Sequence, residues 1–140
     1  MNHWIIAPVL IPALAGMLLL LEVRERHRLR RITGLLSCAA MLATALFLGD
    51  QAWGGEITVY ALGNWQAPFG IVLVLDKFSA LMLLLTAVLA FPALLYACCG
   101  DDRRGANFHA LFQFQLMGVN GAFLTGDLFN LFVFFEVLLI

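Results

Sequence analysis

Charge is what this sequence is short of. Eight lysine and arginine residues and nine aspartate and glutamate residues make up 12% of the 140-residue chain, beside 63% hydrophobic residues. A soluble domain carries about 25% charged and about 45–50% apolar residues. The length would bury a soluble core, but too few charges remain to coat it, and the mean hydropathy is +0.95. The solvent for most of this chain is therefore lipid. That excludes a soluble enzyme, a disordered tail and a disulfide-stapled secreted module. A net charge of -1 offers no electrostatic footprint for nucleic acid. Cysteine is scarce as well: Cys38, Cys98 and Cys99 lie inside or at the end of apolar runs, without a CxxC or a metal-like spacing to histidine. Neighbours such as Cys98 and Cys99 do not bridge each other without strain, so all three read as small buried hydrophobes. No metal and no cofactor is expected.

What is present is a series of long apolar runs. A bilayer core ~30 Å thick takes about 20 apolar residues as a helix, within a range of about 17–25. Residues 4–21, 32–49, 78–99 and 108–125 meet that length, and a fifth run extends from 128 to 140. The expected fold is an all-α integral membrane protein with four full transmembrane helices and a truncated fifth. Pro8 and Pro12 in the first run and Pro92 in the third are expected to kink their helices rather than end them. The fifth run, 13 residues or ~19.5 Å of helix, is too short to cross. The chain is therefore expected to be the N-terminal part of a longer one.

Residues 1–3 carry no positive charge, so the first run does not read as a cleaved signal. Connection 22–31 holds Arg24, Arg26, Arg28, Arg30 and Arg31, and connection 100–107 holds Arg103 and Arg104. The alternate connections, 50–77 and 125–127, hold Lys77 alone. By the positive-inside rule, 22–31 and 100–107 are cytoplasmic and the N-terminus is outside. A topology anchor accounts for the arginine run; a lipid-binding or regulatory patch is the other reading.

The external connection is too apolar for a plain loop. The β-branched runs 57–62 and 70–75 flank 63–69 and read as a β-hairpin between the second and third helices. Trp53, Tyr60 and Trp65 suit the headgroup zone. Asp76, three positions before Ser79, reads as the cap of the third helix, with Lys77 snorkelling; an ion-pathway role for Asp76 is the alternative. Gly126 and Asp127 make a very short turn, Asp127 capping the fifth helix.

Glu136 is nine residues beyond that cap, ~13.5 Å deep in the bilayer. A carboxylate there costs at least ~2.5–3.5 kcal/mol on insertion scales, so it must face protein or water, hold its proton, or pair with a cation. No lysine or arginine lies at that depth, and Asp127 falls on the opposite helix face. Glu136 reads as a proton or cation site, against the plainer reading of a packed, hydrogen-bonded glutamate. Asn120, Gln113 and Gln115 on the fourth helix and Asn130 and Asp127 on the fifth are candidate polar lining, or interhelical hydrogen bonds. Gly118 and Ala122 form a small-xxx-small pair for close helix approach. His109, near the cytoplasmic end of the fourth helix, is a relay candidate or a plain interfacial residue.

The stretch 118–140, with Leu124-Thr-Gly-Asp-Leu-Phe-Asn130 and Phe134-Phe-Glu136, resembles the fourth-to-fifth helix region of the D subunits of Mrp-type sodium/proton antiporters. Stretches 60–71 and 76–81 resemble the external hairpin and third-helix start of the same family, which is related to the proton-pumping membrane subunits of respiratory complex I. The resemblance implies a subunit of a hetero-oligomeric antiporter complex in the bacterial inner membrane, exchanging protons for a monovalent cation such as sodium. It implies proton translocation by Glu136 with a lysine on a later helix, absent from this sequence. It also implies that 1–107 are preliminary helices and that 108–140 open the first of two inverted repeats. A complex I-like pump subunit and a non-functional truncated membrane fragment are the alternatives.

Overall fold

The computed structural model describes residues 3–22, 26–55, 57–65, 70–105 and 107–139. A short 3-10 turn, His3–Ile6, leads into helix α1 (Ala7–Leu21), followed by α2 (His27–Trp53). Strands β1 (Thr58–Ala61) and β2 (Val72–Leu75) precede α3 (Lys77–Ala97), α4 (Phe108–Leu124) and α5 (Leu128–Leu138). The helix through His3–Leu21, α2 and α3 are each long and apolar enough to cross a bilayer. Helix α4 has 17 residues and α5 has 11, so the described chain holds three helices of spanning length and composition.

Two boundaries differ from the sequence reading. Helix α2 begins at His27 and runs to Trp53, so Arg28, Arg30 and Arg31 belong to its first turns and Trp53 to its last. Arginine is a good helix former and no proline or glycine interrupts 27–33; the helix simply outruns the apolar segment. Arg24 lies outside the described residues, as do Gln66 to Phe69 of the hairpin connection. Pro8 occupies the first turn of α1, where a missing N–H costs no hydrogen bond, and so has no kink to make. Pro12 and Pro92 stand inside α1 and α3 without ending them.

The starts of α3 and α5 are set by aspartates. Asp76 Oδ1 accepts from the Ser79 N–H at 2.7 Å, and the Asp76 N–H donates to Ser79 Oγ at 2.9 Å, a reciprocal capping box. The Ser79 backbone N–H, foremost, holds the Asp76 carboxyl below the usual carboxylate range. Asp127 likewise accepts from the Asn130 N–H at 2.7 Å.

Helix α1 packs against α4 and α2, α2 against α3, and α3 against α4, closing a four-helix ring; α5 packs onto α4. The buried face of α3 carries Ala80, Leu83, Ala87, Ala90, Leu94 and Ala97, and α2 meets it with Met41, Ala45, Leu48 and Ala52. These spacings of three and four mark one helix face, and the alanines let the backbones approach closely. The outward faces carry larger apolar groups, among them Phe78, Leu81, Leu85, Leu89 and Tyr96 on α3. Such a surface suits hydrocarbon rather than water.

Strands β1 and β2 pair antiparallel, Thr58 opposite Leu75 and Ala61 opposite Val72. Beyond the hairpin, the Gly126 N–H donates to the Val72 carbonyl at 2.8 Å and Leu73 forms an isolated bridge with Thr125. The hairpin edge is thus pinned to the α4–α5 turn. Gly126 is required there: a Cβ would stand 2.7 Å from Val74 Cγ2.

The close seam between α4 and α5 uses Gly118 and Gly121, not Gly118 and Ala122. A Cβ on Gly118 would stand 2.7 Å from Leu138, and one on Gly121 would fall on the Phe134 ring. Ala122 is half-buried and borders a cavity beneath the hairpin. Gly121→Ala is expected to push α5 from α4 and cost about 1–3 kcal/mol by overpacking, read as a lower unfolding midpoint in detergent. Gly49→Ala, where a Cβ meets nothing within 4 Å, is expected to leave the midpoint unchanged or raise it.

Candidate functional site

Three polar residues of α4 face inward along one stripe. His109, Gln113 and Asn120 are all buried, with Leu116 between them on the same face. Asn120 Nδ2 donates to the Pro8 carbonyl at 2.8 Å and lies 3.0 Å from Met41 Sδ. Pro8 is four residues before Pro12, whose nitrogen has no hydrogen, so that carbonyl lacks its usual helical partner. Asn120 supplies the missing donor from the neighbouring helix. Its own Oδ1 is buried without a partner. Gln113 ties α4 to α2 in both directions: its Oε1 accepts from Ser37 Oγ at 2.8 Å, and its Nε2 donates to the Gly34 carbonyl at 3.3 Å. Gln115 is exposed.

At the end of this stripe His109 is drawn into an ion-pair cluster that the sequence did not reveal. Arg31 Nε and Nη2 donate to Asp102 Oδ2 and Oδ1 at 2.6 and 2.8 Å, a two-pronged pair. His109 Nε2 lies 3.2 Å from Asp102 Oδ2. The Asp102 side chain is 1% exposed, yet Arg31 beside it holds its carboxyl down at about 2. Arg31 belongs to α2, Asp102 to a 3-10 turn (Asp101–Arg103), and His109 to α4. The cluster therefore fastens the start of α2 to the α3–α4 connection.

Cys98 joins the same neighbourhood, with ligand atoms of Cys98, Asp102 and His109 within 4.8 Å of one another. The fold thus brings a cysteine to a histidine where sequence spacing suggested none. Both Asp102 oxygens are already engaged by the Arg31 cation, which would repel a second positive charge, so the donor set fits an ion pair better than a metal. The three cysteines are free thiols.

Of the remaining candidates, Asp127 and Asn130 meet each other at the start of α5, where Asn130 Nδ2 also donates to Asp127 Oδ2. Glu136 stands apart. Asn130 is buried and Phe134, Val137 and Leu138 are half-buried, the face that α5 turns to α4. Glu136 is exposed on the other side, as are Phe129, Phe132 and Val133. Among the described residues no side chain hydrogen-bonds or ion-pairs with it. The structure ties His109, Gln113 and Asn120 of α4 to Asp102, α2 and α1, and leaves Glu136, in the last turn of α5, on an exposed apolar face.

Two outcomes check these ties. A depressed carboxyl stabilises the fold in full above its unfolded pKa near 4, and the gain is lost as pH falls through the folded value near 2. Wild type is expected to exceed Asp102→Asn by about 2 kcal/mol at pH 5, the gap closing toward pH 2 in circular-dichroism melts. Asn120→Ala is expected to cost about 1 kcal/mol, and less in a Pro12→Ala background, where residue 12 regains the N–H that serves the Pro8 carbonyl.

No protein-family model matches the chain. It is 45% identical over 142 residues to the D subunit of a Na(+)/H(+) antiporter from Alkalihalophilus pseudofirmus, covering 100% of this chain and 29% of that protein. It is 48% identical over 145 residues to the D subunit of a probable K(+)/H(+) antiporter from Rhizobium meliloti, covering 99% and 27%. Among solved structures it superposes with a TM-score of 0.89 on a chain of the Mrp complex from Dietzia sp. DQ12-45-1b, at 34% identity, covering 100% of this chain and 26% of the other. The chain spans less than a third of the length of the relatives it matches.

Proposed function

We propose, from the premise that this chain belongs to the D-subunit family of Mrp-type antiporters as a segment matching 29% of one relative's length, that it forms part of a monovalent cation/proton antiporter subunit. In that reading Glu136 is the residue that takes up and releases the transported proton. The observation that carries it is the placement of Glu136, an exposed carboxylate on the face of α5 that α4 leaves uncovered.

Physical chemistry supports the assignment. A carboxylate ~13.5 Å beyond the Asp127 cap is too costly to leave facing lipid. The exposed Phe129, Phe132 and Val133 make the same face strongly apolar, a surface for further helices of a longer subunit. Packed there, Glu136 is screened from lipid and free to exchange its proton with a cationic partner on another helix. The buried α4 ties serve this role by holding the helix against which α5 leans. His109 and Asn120 then act as positioning residues, their polar atoms turned to α1, α2 and Asp102.

Orientation follows from charge: connections 22–31 and 100–107, with seven arginines against the single lysine of the alternate connections, face the cytoplasm, and the N-terminus lies outside. The hairpin β1–β2 then lies on the outer surface. Residues 108–140 open the conducting core, and other subunits complete the complex. Sodium is the expected cation. One relative is named for sodium and the other for potassium, so transport is assayed with both.

The test is Glu136→Gln in the intact antiporter that carries this segment, assayed in inverted membrane vesicles. Cation-dependent proton movement is expected to fall by at least roughly tenfold while the subunit still inserts and assembles. Glu136→Asp, which keeps the carboxylate, is expected to retain part of it. Normal transport by Glu136→Gln with either cation sinks the assignment.

A further inference from the structure

A second polar feature lies at the bundle end where α2 and α4 both begin. His27, Arg30, Asp102, Arg103, Arg104 and His109 border a cavity of about 120 Å³. At ~30 Å³ per water, that is room for a tetrahedral oxyanion. Among the described residues, three guanidinium groups, two histidines and one carboxylate line it. That carboxylate, Asp102, has both oxygens bound by Arg31, so its charge is already matched. Arg104 has Asp101 beside it at 3.2 Å, in an exposed pair that screening makes weak. Arg30 is 5% exposed and is fixed by donating from Nη2 to the Leu19 carbonyl at 3.2 Å.

The backbone adds charge of the same sign. Neither α2 nor α4 has a side-chain cap at its N-terminus, and neither has an acidic residue in its first turn. Helices α3 and α5 are capped by aspartate, whereas α2 and α4, like α1, have no side-chain cap. Helix N-termini carry roughly half a positive charge and favour anions. Here two of them open beside the same group of arginines.

We propose that this cavity binds a phosphate group, Arg30 forming its fixed wall and Arg103 and Arg104 closing over it from the exposed side. The position, at the mouth of two apolar helices, is that of a phospholipid headgroup; a soluble phosphate presents the same chemistry. Phosphate accepts two-pronged hydrogen bonds from guanidinium groups. The site is independent of Glu136, and its occupancy does not require transport.

The intact subunit that carries this segment, purified in detergent, is titrated with dioleoylphosphatidylglycerol, dioleoylphosphatidylcholine or inorganic phosphate. Retained lipid is read by native mass spectrometry and the unfolding midpoint by circular dichroism. The anionic lipid is expected to be retained roughly tenfold over the zwitterionic one. Arg103→Gln with Arg104→Gln, both exposed positions, is expected to lose that preference. Arg26→Gln with Arg28→Gln removes equal charge from exposed positions off the cavity and is expected to change retention less than about twofold. Selective lipid retention identifies the headgroup as the source. A midpoint raised by inorganic phosphate, and abolished by the Arg103/Arg104 pair alone, identifies soluble phosphate. Equal retention of both lipids with no phosphate effect, or equal losses in the two double variants, overturns the site.

Discussion

The hydrogen bond from Asn120 to the Pro8 carbonyl is the contact on which the arrangement of the bundle turns. Within a bilayer no water stands ready for an orphaned carbonyl, so every backbone group must find a protein partner. Pro12 creates such an orphan in α1, and only a donor from another helix can serve it. Asn120 therefore fixes both the depth and the rotation of α4 against α1. With that register set, Gln113 arrives opposite Ser37 and Gly34 of α2, and His109 opposite Asp102. His109, Gln113 and Asn120 thus form successive latches along α4.

The distribution of side-chain sizes follows the same logic. Lipid tails are as apolar as leucine, so burial of apolar surface gives helices little reason to associate; close packing and hydrogen bonds must do it. Alanines on α3 and glycines on α4 bring backbones together, while leucine and phenylalanine are turned outward. Glu136 breaks this pattern. In the last turn of α5, it neither caps a helix nor joins an ion pair among the described residues, and it lies on the face that α4 leaves uncovered.

The elements with local causes were legible in the sequence. Run lengths marked the helical segments, though only three of the described helices have spanning length and composition where four were expected. The β-branched runs gave the hairpin, and Asp76 with Ser79 and Asp127 with Asn130 marked helix starts, because capping acts over three residues. Long-range matches were not legible. Arg31 and Asp102 are 71 positions apart, and each sits in a charge run whose topological meaning hid its pairing. The reach of α2 to Trp53 was missed because hydropathy marks where lipid ends, not where hydrogen bonding ends. Gly118 was identified as a close-contact residue, but its companion is Gly121: rotation of α5 about its axis decides which small residue the Phe134 ring meets, and a single helix's pattern does not specify that rotation.

The junction between β2 and the α4–α5 turn constrains motion. Gly126 donates to Val72 across 54 positions of sequence, and its missing side chain is what lets the two backbones touch. Sliding α5 along its axis would carry Gly126 off this carbonyl and drag Val74 with it. Tilting or rotating about that fixed point leaves the bond intact. The hairpin therefore serves α5 as a pivot at Asp127, where its displacement is smallest.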